Sequence, residues 1–247
     1  MHRFYLPDTS IVVGHPVDLT PLAQQLGRVL RLEPGAQIGV FTGDGYEYRV
    51  ELSRIAGKTA VGRAVERSAP LTEPIIDLTL YQCSLKADKF EWVLQKGTEL
   101  GVNRFAPVIS ARSIVRPGAA LEKKYPRWRA ILREAAEQSG RVVVPVLSPP
   151  LDLAAALARA AQAPGVDLLP YEGSANQAAA PRLADVIPAH GGTYSLLIGP
   201  EGGFEEGEIR AALAADWQIV SLGPRILRAE TAAVASVAVM MAAADRA

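Results

Sequence analysis

Apolar residues recur along this chain with two periods, and the change of period divides it. Up to about residue 70 the runs are short and strand-like. Gln37-Ile38-Gly39-Val40-Phe41 is one, and the stretch 46–52 is another that alternates as a half-exposed strand does. Thr42-Gly43-Asp44-Gly45 lies between them and predicts a hairpin turn, because Asp and Gly tolerate the dihedrals such a turn needs. A helix is predicted over 21–32, with Leu22, Leu26, Val29 and Leu30 on one side and Pro34-Gly35 ending it. Pro70 and Pro74 bracket Leu71-Thr72-Glu73, and the domain boundary is placed there. The expected division is a small β-rich domain over 1–72 and a larger one over 73–247.

In the larger part, strand-like runs alternate with helical periodicity. Strands are predicted over 75–83, 105–109, 166–170, 194–198 and 218–222, with a short apolar run over 142–147. Helices are predicted over 89–100, stopped by Gly101, over 121–138, 151–163 and 206–215, and from Glu230 onward. Alternation of this kind means an α/β domain with a mostly parallel sheet. Ligands of such sheets sit where loops leave the carboxyl ends of strands.

Three strand-end loops therefore draw the chemistry. The first is Leu197-Ile198-Gly199-Pro200-Glu201-Gly202-Gly203, where an apolar run ends in glycines, a proline and a carboxylate. The helix behind it opens with Glu205, Glu206 and Glu208, which suit the positive helix end but would repel a phosphate. The lysine and hydroxyl of a triphosphate-binding loop are missing, and so is a G-x-G-x-x-G fingerprint. The loop suits a phosphate-free, cationic ligand, and S-adenosylmethionine has those properties. Glu201 would either favour the cation or cap a backbone amide. The second loop is Leu222-Gly223-Pro224-Arg225-Ile226-Leu227-Arg228, followed by Ala229-Glu230-Thr231. Two arginines ahead of a helix start oppose the helix field and call for a partner: a nucleic-acid phosphate, a substrate carboxylate or Glu230. Tyr171-Glu172-Gly173-Ser174 is the third loop, a candidate pocket wall.

Charge adds a second theme. The chain of 247 residues has a formal net charge of +0, with 26 basic and 26 acidic side chains, but the distribution is uneven. Residues 81–147 hold 12 basic and 6 acidic side chains, whereas 148–247 hold 6 and 11. A basic middle beside an acidic remainder suggests one face for a polyanion, and basic side chains contact an RNA backbone without reading its sequence. Lys86, Lys89, Arg112, Arg116 and Arg141 are the candidates there, joined by Arg3, Arg28 and Arg31 from the first domain. The single cysteine, Cys83, permits no internal disulfide and fits a reducing compartment, so the cytoplasm is expected. The opening MHRFYLPDTS does not read as a signal peptide, and no apolar stretch reaches membrane-spanning length. His2, His15 and His190 form no metal set with Cys83 at a familiar spacing, and no metal is expected.

Five stretches taken together resemble a known family: GRVLR at 27–31, QKGTELGV at 95–102, RW followed by ILREAAEQSGR ending at 141, LIGPEGGFEEGEI at 197–209 and LGPRILRAETAA at 222–233. They are collinear with the bacterial 16S ribosomal RNA uridine N3-methyltransferases of the RsmE type, in the SPOUT superfamily. The resemblance implies a PUA-like RNA-binding β-barrel followed by a SPOUT α/β methyltransferase domain with a deep trefoil knot. It implies a homodimer, and S-adenosylmethionine held by the loops 199–203, 222–227 and 171–173 with Leu197, Ile198 and Thr231 at their edges. The implied substrate is one uridine of the decoding region of 16S rRNA in the assembled small subunit. Two positions depart from relatives: Gln25 stands where many have histidine, and Glu205 where a helix-starting serine is usual. Glu208 retains its half of a capping box.

Uracil N3 holds an imide proton at neutral pH, so a site that methylates it must accept that proton or stabilise the negative charge. Arg228 is the candidate for charge stabilisation or for orienting the base. Glu230 either positions Arg228 or caps the helix with Thr231. No general base stands out, and Glu201, substrate phosphates and water are left open. Two other functions use the same features: a non-catalytic ribosome-assembly factor, and a ribose 2′-O-methyltransferase of the same fold.

Overall fold

The computed structural model describes residues 1–114, 118–173, 180–187 and 191–245. The chain divides into two compact units, Met1–Glu73 with Ala136–Val144, and Pro74–Ala135 with Pro145–Ala247. The sequence reading made one cut after residue 72 and gave 136–144 to the larger domain. Those nine residues instead belong with the smaller unit, for reasons that lie in side chains of the first strand.

The first unit holds a five-stranded sheet built from β1 (Arg3–Tyr5), β2 (Pro16–Asp18), β3 (Gln37–Phe41), β4 (Glu47–Ala56) and β5 (Thr59–Ser68), in the order β1-β3-β4-β5-β2. β1 runs parallel to β3 and the other pairs are antiparallel. The β3–β4 hairpin forms at 42–46 as expected. Asp44 fixes it by accepting from the Tyr46 amide at 3.1 Å and from the Tyr48 hydroxyl at 2.7 Å. Tyr48, Val50 and Leu52 alternate into a core with Phe4, Ile38, Val40 and Leu26. The helix predicted over 21–32 is replaced by a 3-10 turn at Thr20–Leu22 and a π-helical turn at Gln25–Val29. The Leu30 amide reaches back five residues to the Gln25 carbonyl at 3.0 Å. This wider winding keeps Leu26 buried and turns Val29 outward, where it is 73% exposed.

Arg3 explains the return of 136–144. Its Nε donates to Glu47 at 2.6 Å, and its Nη atoms donate to the carbonyls of Ala136, Glu137, Gly140 and Arg141 at 2.9–3.3 Å. A guanidinium at the end of a helix satisfies carbonyls that have no partner inside it.

The second unit contains β6 (Ile76–Cys83), α1 (Ala87–Leu100), β7 (Arg104–Ile109), α2 (Gly118–Glu122), α3 (Tyr125–Ser139), β8 (Val146–Leu147), β9 (Leu151–Asp152), α4 (Leu153–Ala160), β10 (Val166–Pro170), β11 (Gly192–Ile198), α5 (Glu206–Ala214), β12 (Gln218–Val220) and α6 (Ala229–Ala244). The sheet order is β12-β10-β11-β6-β7-β8, with β9 also on β7, and every pair is parallel. Gly101 ends α1 at φ 111°, a left-handed value that glycine adopts at no steric cost. The single helix expected over 121–138 is two helices. Pro126 has no amide and fits only the first turn of a helix, so α3 starts afresh at Tyr125. The helix expected from 151 starts at Leu153, because the Asp152 side chain accepts from the Ala155 amide at 2.7 Å and caps it. Among the described residues no helix is long and apolar enough to cross a membrane.

Candidate functional site

The carboxyl ends of β10 and β11 face the starts of α1 and α6. β11 ends at Ile198, and the chain turns through Gly199 to Gly203, closed by the Gly203 amide donating to the Pro200 carbonyl at 3.0 Å. Gly203 lies at φ 67°, which disfavours any side chain. A Cβ on Gly199 would stand 3.0 Å from the Phe204 ring, a tight contact that would push the ring back by a few tenths of an ångström. The start of α5 is fixed by Glu208, which accepts from the Glu205 amide at 2.9 Å and from the Ala111 amide at 2.7 Å. The retained half of the capping box is therefore formed, and it also ties α5 to the loop after β7. From that loop Arg112 donates to the Gly202 carbonyl at 3.2 Å.

A cavity of about 230 Å³ opens between the two long loops. Its walls are apolar at Ile198, Phe204, Ile226 and Leu227, with Pro170 and Pro200 beside them. Its polar groups are Lys89, Glu172, Glu201 and Arg228. A narrower recess of about 50 Å³, lined by Tyr171, Leu222, Gly223 and Arg225 among others, shares Pro170, Glu172, Leu227 and Ala232 with it. The loops at 199–203 and 222–227 thus lie side by side around one cavity.

One interaction in this cavity had no signal in the sequence. The Lys89 ammonium lies 3.2 Å from Glu201 Oε1 and 3.3 Å from Glu230 Oε1. The hydrogen bond to Glu201, with Glu230 in support and desolvation opposing, raises Lys89 above the ordinary lysine value, so it is charged at neutral pH. The other oxygen of each carboxylate, Glu201 Oε2 and Glu230 Oε2, is buried and accepts nothing. Glu230, expected either to position Arg228 or to cap the helix with Thr231, pairs with Lys89. Arg228, the N-cap residue of α6, is exposed and makes no side-chain hydrogen bond or ion pair among the described residues. Glu201 caps no amide.

The remaining expectations separate cleanly. Ile198, Gly199, Pro200, Glu201, Gly203, Glu172, Ile226 and Leu227 line the main cavity. Leu197 faces away into the core with Tyr81 and Trp217, as the alternation of a strand requires. Gly202 lies against Arg112 rather than the cavity, and Gly173 and Thr231 are not among the lining residues. Lys89, proposed for RNA, is committed to the two carboxylates. Arg3 holds carbonyls, and the Arg141 side chain is 2% exposed against Glu73, so neither is free for a phosphate. Arg28, Arg31, Lys86 and Arg112 are exposed. Arg116, His190 and Ser174 lie outside the described residues. Pro170, Phe204, Ala229 and Ala232 were missed because a wall residue of a cavity carries no motif. Among the described residues no group of three His, Cys, Asp or Glu is placed to hold a metal ion.

The cavity fits S-adenosylmethionine by its chemistry. Glycine backbone admits close approach, apolar walls suit an adenine, and the lining carboxylates Glu172 and Glu201 suit a cation. The RNA methyltransferase domain family matches residues 72–241, and the RNA methyltransferase PUA domain family matches 26–64. Ribosomal RNA small subunit methyltransferase E of Bacillus subtilis is 34% identical over 207 residues, covering 83% of this chain and 80% of that protein. The protein of the same name from Aquifex aeolicus is 31% identical over 242 residues, covering 98% and 99%. The crystal structure of Ribosomal RNA small subunit methyltransferase E from Neisseria gonorrhoeae, bound to S-adenosyl methionine, superposes with a TM-score of 0.87 at 35% identity, covering 98% of this chain and 97% of that one.

Proposed function

The chain belongs to the RNA methyltransferase family whose bacterial members carry the name Ribosomal RNA small subunit methyltransferase E, and from that premise we propose that it transfers a methyl group from S-adenosylmethionine to N3 of one uridine in 16S rRNA. The observation that carries the reading is the convergence of the 199–203 and 222–227 loops on one cavity that carries both acidic and basic side chains, in a fold shared with a relative crystallised with that donor. Bound there, S-adenosylmethionine supplies a methyl group on a sulfonium, which is already activated towards a nucleophile.

The chain's own task is then alignment and charge. The loops fix the donor against the strand ends, and alignment of nucleophile with the methyl carbon accounts for much of the rate. Arg228 stands on the cavity rim with its guanidinium unengaged. It is the group we assign to the negative charge that develops on uracil as N3 loses its proton. Arg28, Arg31, Lys86 and Arg112 are assigned to RNA phosphates.

Three finer features accompany this reading. We take the second unit to be a SPOUT domain with a knotted carboxyl end. In support, the end of β12 is hydrogen-bonded on one side by the Tyr171 amide and on the other by Pro181 and Leu183, the two ends of one loop, before the chain runs on into α6. We take the protein to be a homodimer, supported by an apolar recess of about 370 Å³ at Leu183, Leu222, Pro224, Ala235 and Val239. We take its substrate to be the decoding region of assembled small subunits, in the cytoplasm.

Nucleoside mass spectrometry of 16S rRNA tests the function. A gene-deletion strain should lack N3-methyluridine and regain it when the wild-type chain is supplied. Unchanged N3-methyluridine in the deletion strain would overturn the assignment.

A further inference from the structure

The Lys89 cluster invites an accounting of charge. Two carboxylates and one ammonium sum to −1, and each carboxylate keeps one buried oxygen without a partner. A buried acceptor left unpaired is destabilising, and native folds retain such groups where function requires them. Glu201 comes from the loop after β11, Glu230 from the first turn of α6, and Lys89 from the first turn of α1. The cluster thus ties together the starts of two helices and the donor loop. Glu201 and Lys89 line the cavity, and Glu230 stands behind Lys89 at 3.3 Å; the remaining lining charges, Glu172 and Arg228, are exposed and cancel one another to a first approximation.

Methyl transfer changes one property of the donor above all. The sulfonium becomes a neutral thioether, so the ligand loses one positive charge while its shape is nearly kept. A pocket with net charge −1 favours the first form over the second. We propose that the Glu201–Lys89–Glu230 cluster is the specificity device that distinguishes S-adenosylmethionine from its demethylated product, with Lys89 setting how strong the distinction is. The inference rests on the donor assignment above and goes beyond it. The two carboxylates attract the sulfonium. Lys89 tempers them, so that donor binding does not become too tight for turnover. Once the methyl group has gone the attraction lapses, and product leaves a pocket whose carboxylates are already neutralised in part by their own lysine.

Calorimetric titration of the purified full-length chain with S-adenosylmethionine and, separately, S-adenosylhomocysteine tests this without any turnover. The quantity to read is the ratio of the product Kd to the donor Kd. Lys89→Met takes the cluster from −1 to −2, and the ratio should rise by about three- to tenfold. Glu230→Gln takes it from −1 to 0, and the ratio should fall by a similar factor. Lys89→Arg should leave the ratio unchanged. The double variant Lys89→Met with Glu230→Gln restores −1 and should restore the wild-type ratio, although both ion pairs are gone. A purely structural role for Lys89 would weaken both ligands together and leave the ratio fixed. Single variants that shift the ratio in the same direction, or not at all, overturn the proposal. Should Lys89→Met fail to fold, Glu230→Gln alone still decides, because its ratio must fall. A wild-type chain that binds neither ligand would overturn the donor assignment and this inference with it, whereas tight binding with a variant-independent ratio overturns the inference only.

Discussion

Four hydrogen bonds converge on the Glu73 carboxylate. Arg141 Nε and Nη2 reach Oε2 at 3.1 and 2.7 Å, and the amides of Val142 and Val143 reach Oε1 at 2.8 and 3.1 Å. Glu73→Ala would remove two hydrogen bonds and an ion pair from a guanidinium that is 2% exposed, and we expect a loss of about 3–5 kcal/mol in urea unfolding of the full chain. A second residue-level effect concerns pH. Burial pushes the Cys83 thiol up from its ordinary value near 9 to about 12. The folded state then holds a proton that the unfolded chain releases. Stability from this group is complete below about pH 9 and is lost as pH rises towards 12, with a slope of about 1.4 kcal/mol per pH unit. Cys83→Ala should flatten the alkaline limb of the unfolding midpoint against pH. The thiol should also resist alkylation at neutral pH until the protein is denatured. For the chemistry, Arg228→Ala should cut single-turnover methyl transfer far more than donor affinity, and equal losses would refute its role. Arg141 and Arg3 show what a single sequence conceals at this scale. An arginine in a basic tract reads as a phosphate contact, and its commitment to a buried carboxylate or to helix carbonyls depends on residues about seventy to one hundred and forty positions away in the chain.

Elements were legible where periodicity ran long and blurred where one residue altered the winding. α1, β6, β7, β10, β11, α5 and α6 lie within a few residues of the expected spans, because each repeats one pattern until a glycine or a polar turn stops it. The misreadings at 21–32, 121–138 and 151–163 have local causes: a π-helical turn, Pro126 and the Asp152 cap. Gly97 offers a test of packing against propensity inside α1. Alanine there should gain about 1 kcal/mol of helix propensity. Its Cβ would lie 2.8 Å from Phe105 Cζ, in a ring that is 0% exposed and has nowhere to go. Overpacking of that kind costs about 1–3 kcal/mol, so Gly97→Ala should destabilise on balance. A rise in thermal midpoint would show that β7 and α1 separate more easily than their contact suggests.

At the scale of the whole molecule, the knotted carboxyl end proposed above has a kinetic consequence. If the carboxyl end is threaded as proposed, the chain should refold from denaturant with a slow phase. The chain also has 18 prolines, whose isomerisation is slow as well. The two are separated by adding a prolyl isomerase, which should leave the threading phase in place. Loss of every slow phase on that addition would argue against threading. By itself the sequence determined the α/β class, the order of most elements and the strand-end loops, because periodicity and turn chemistry are local and are written in consecutive residues. Only the tertiary structure decided that 136–144 joins the first unit, that Arg3 and Arg141 are internal, and that Lys89 rather than Arg228 meets Glu230. Those outcomes depend on which distant side chains come within about 3 Å of one another, and a linear pattern holds no record of that distance.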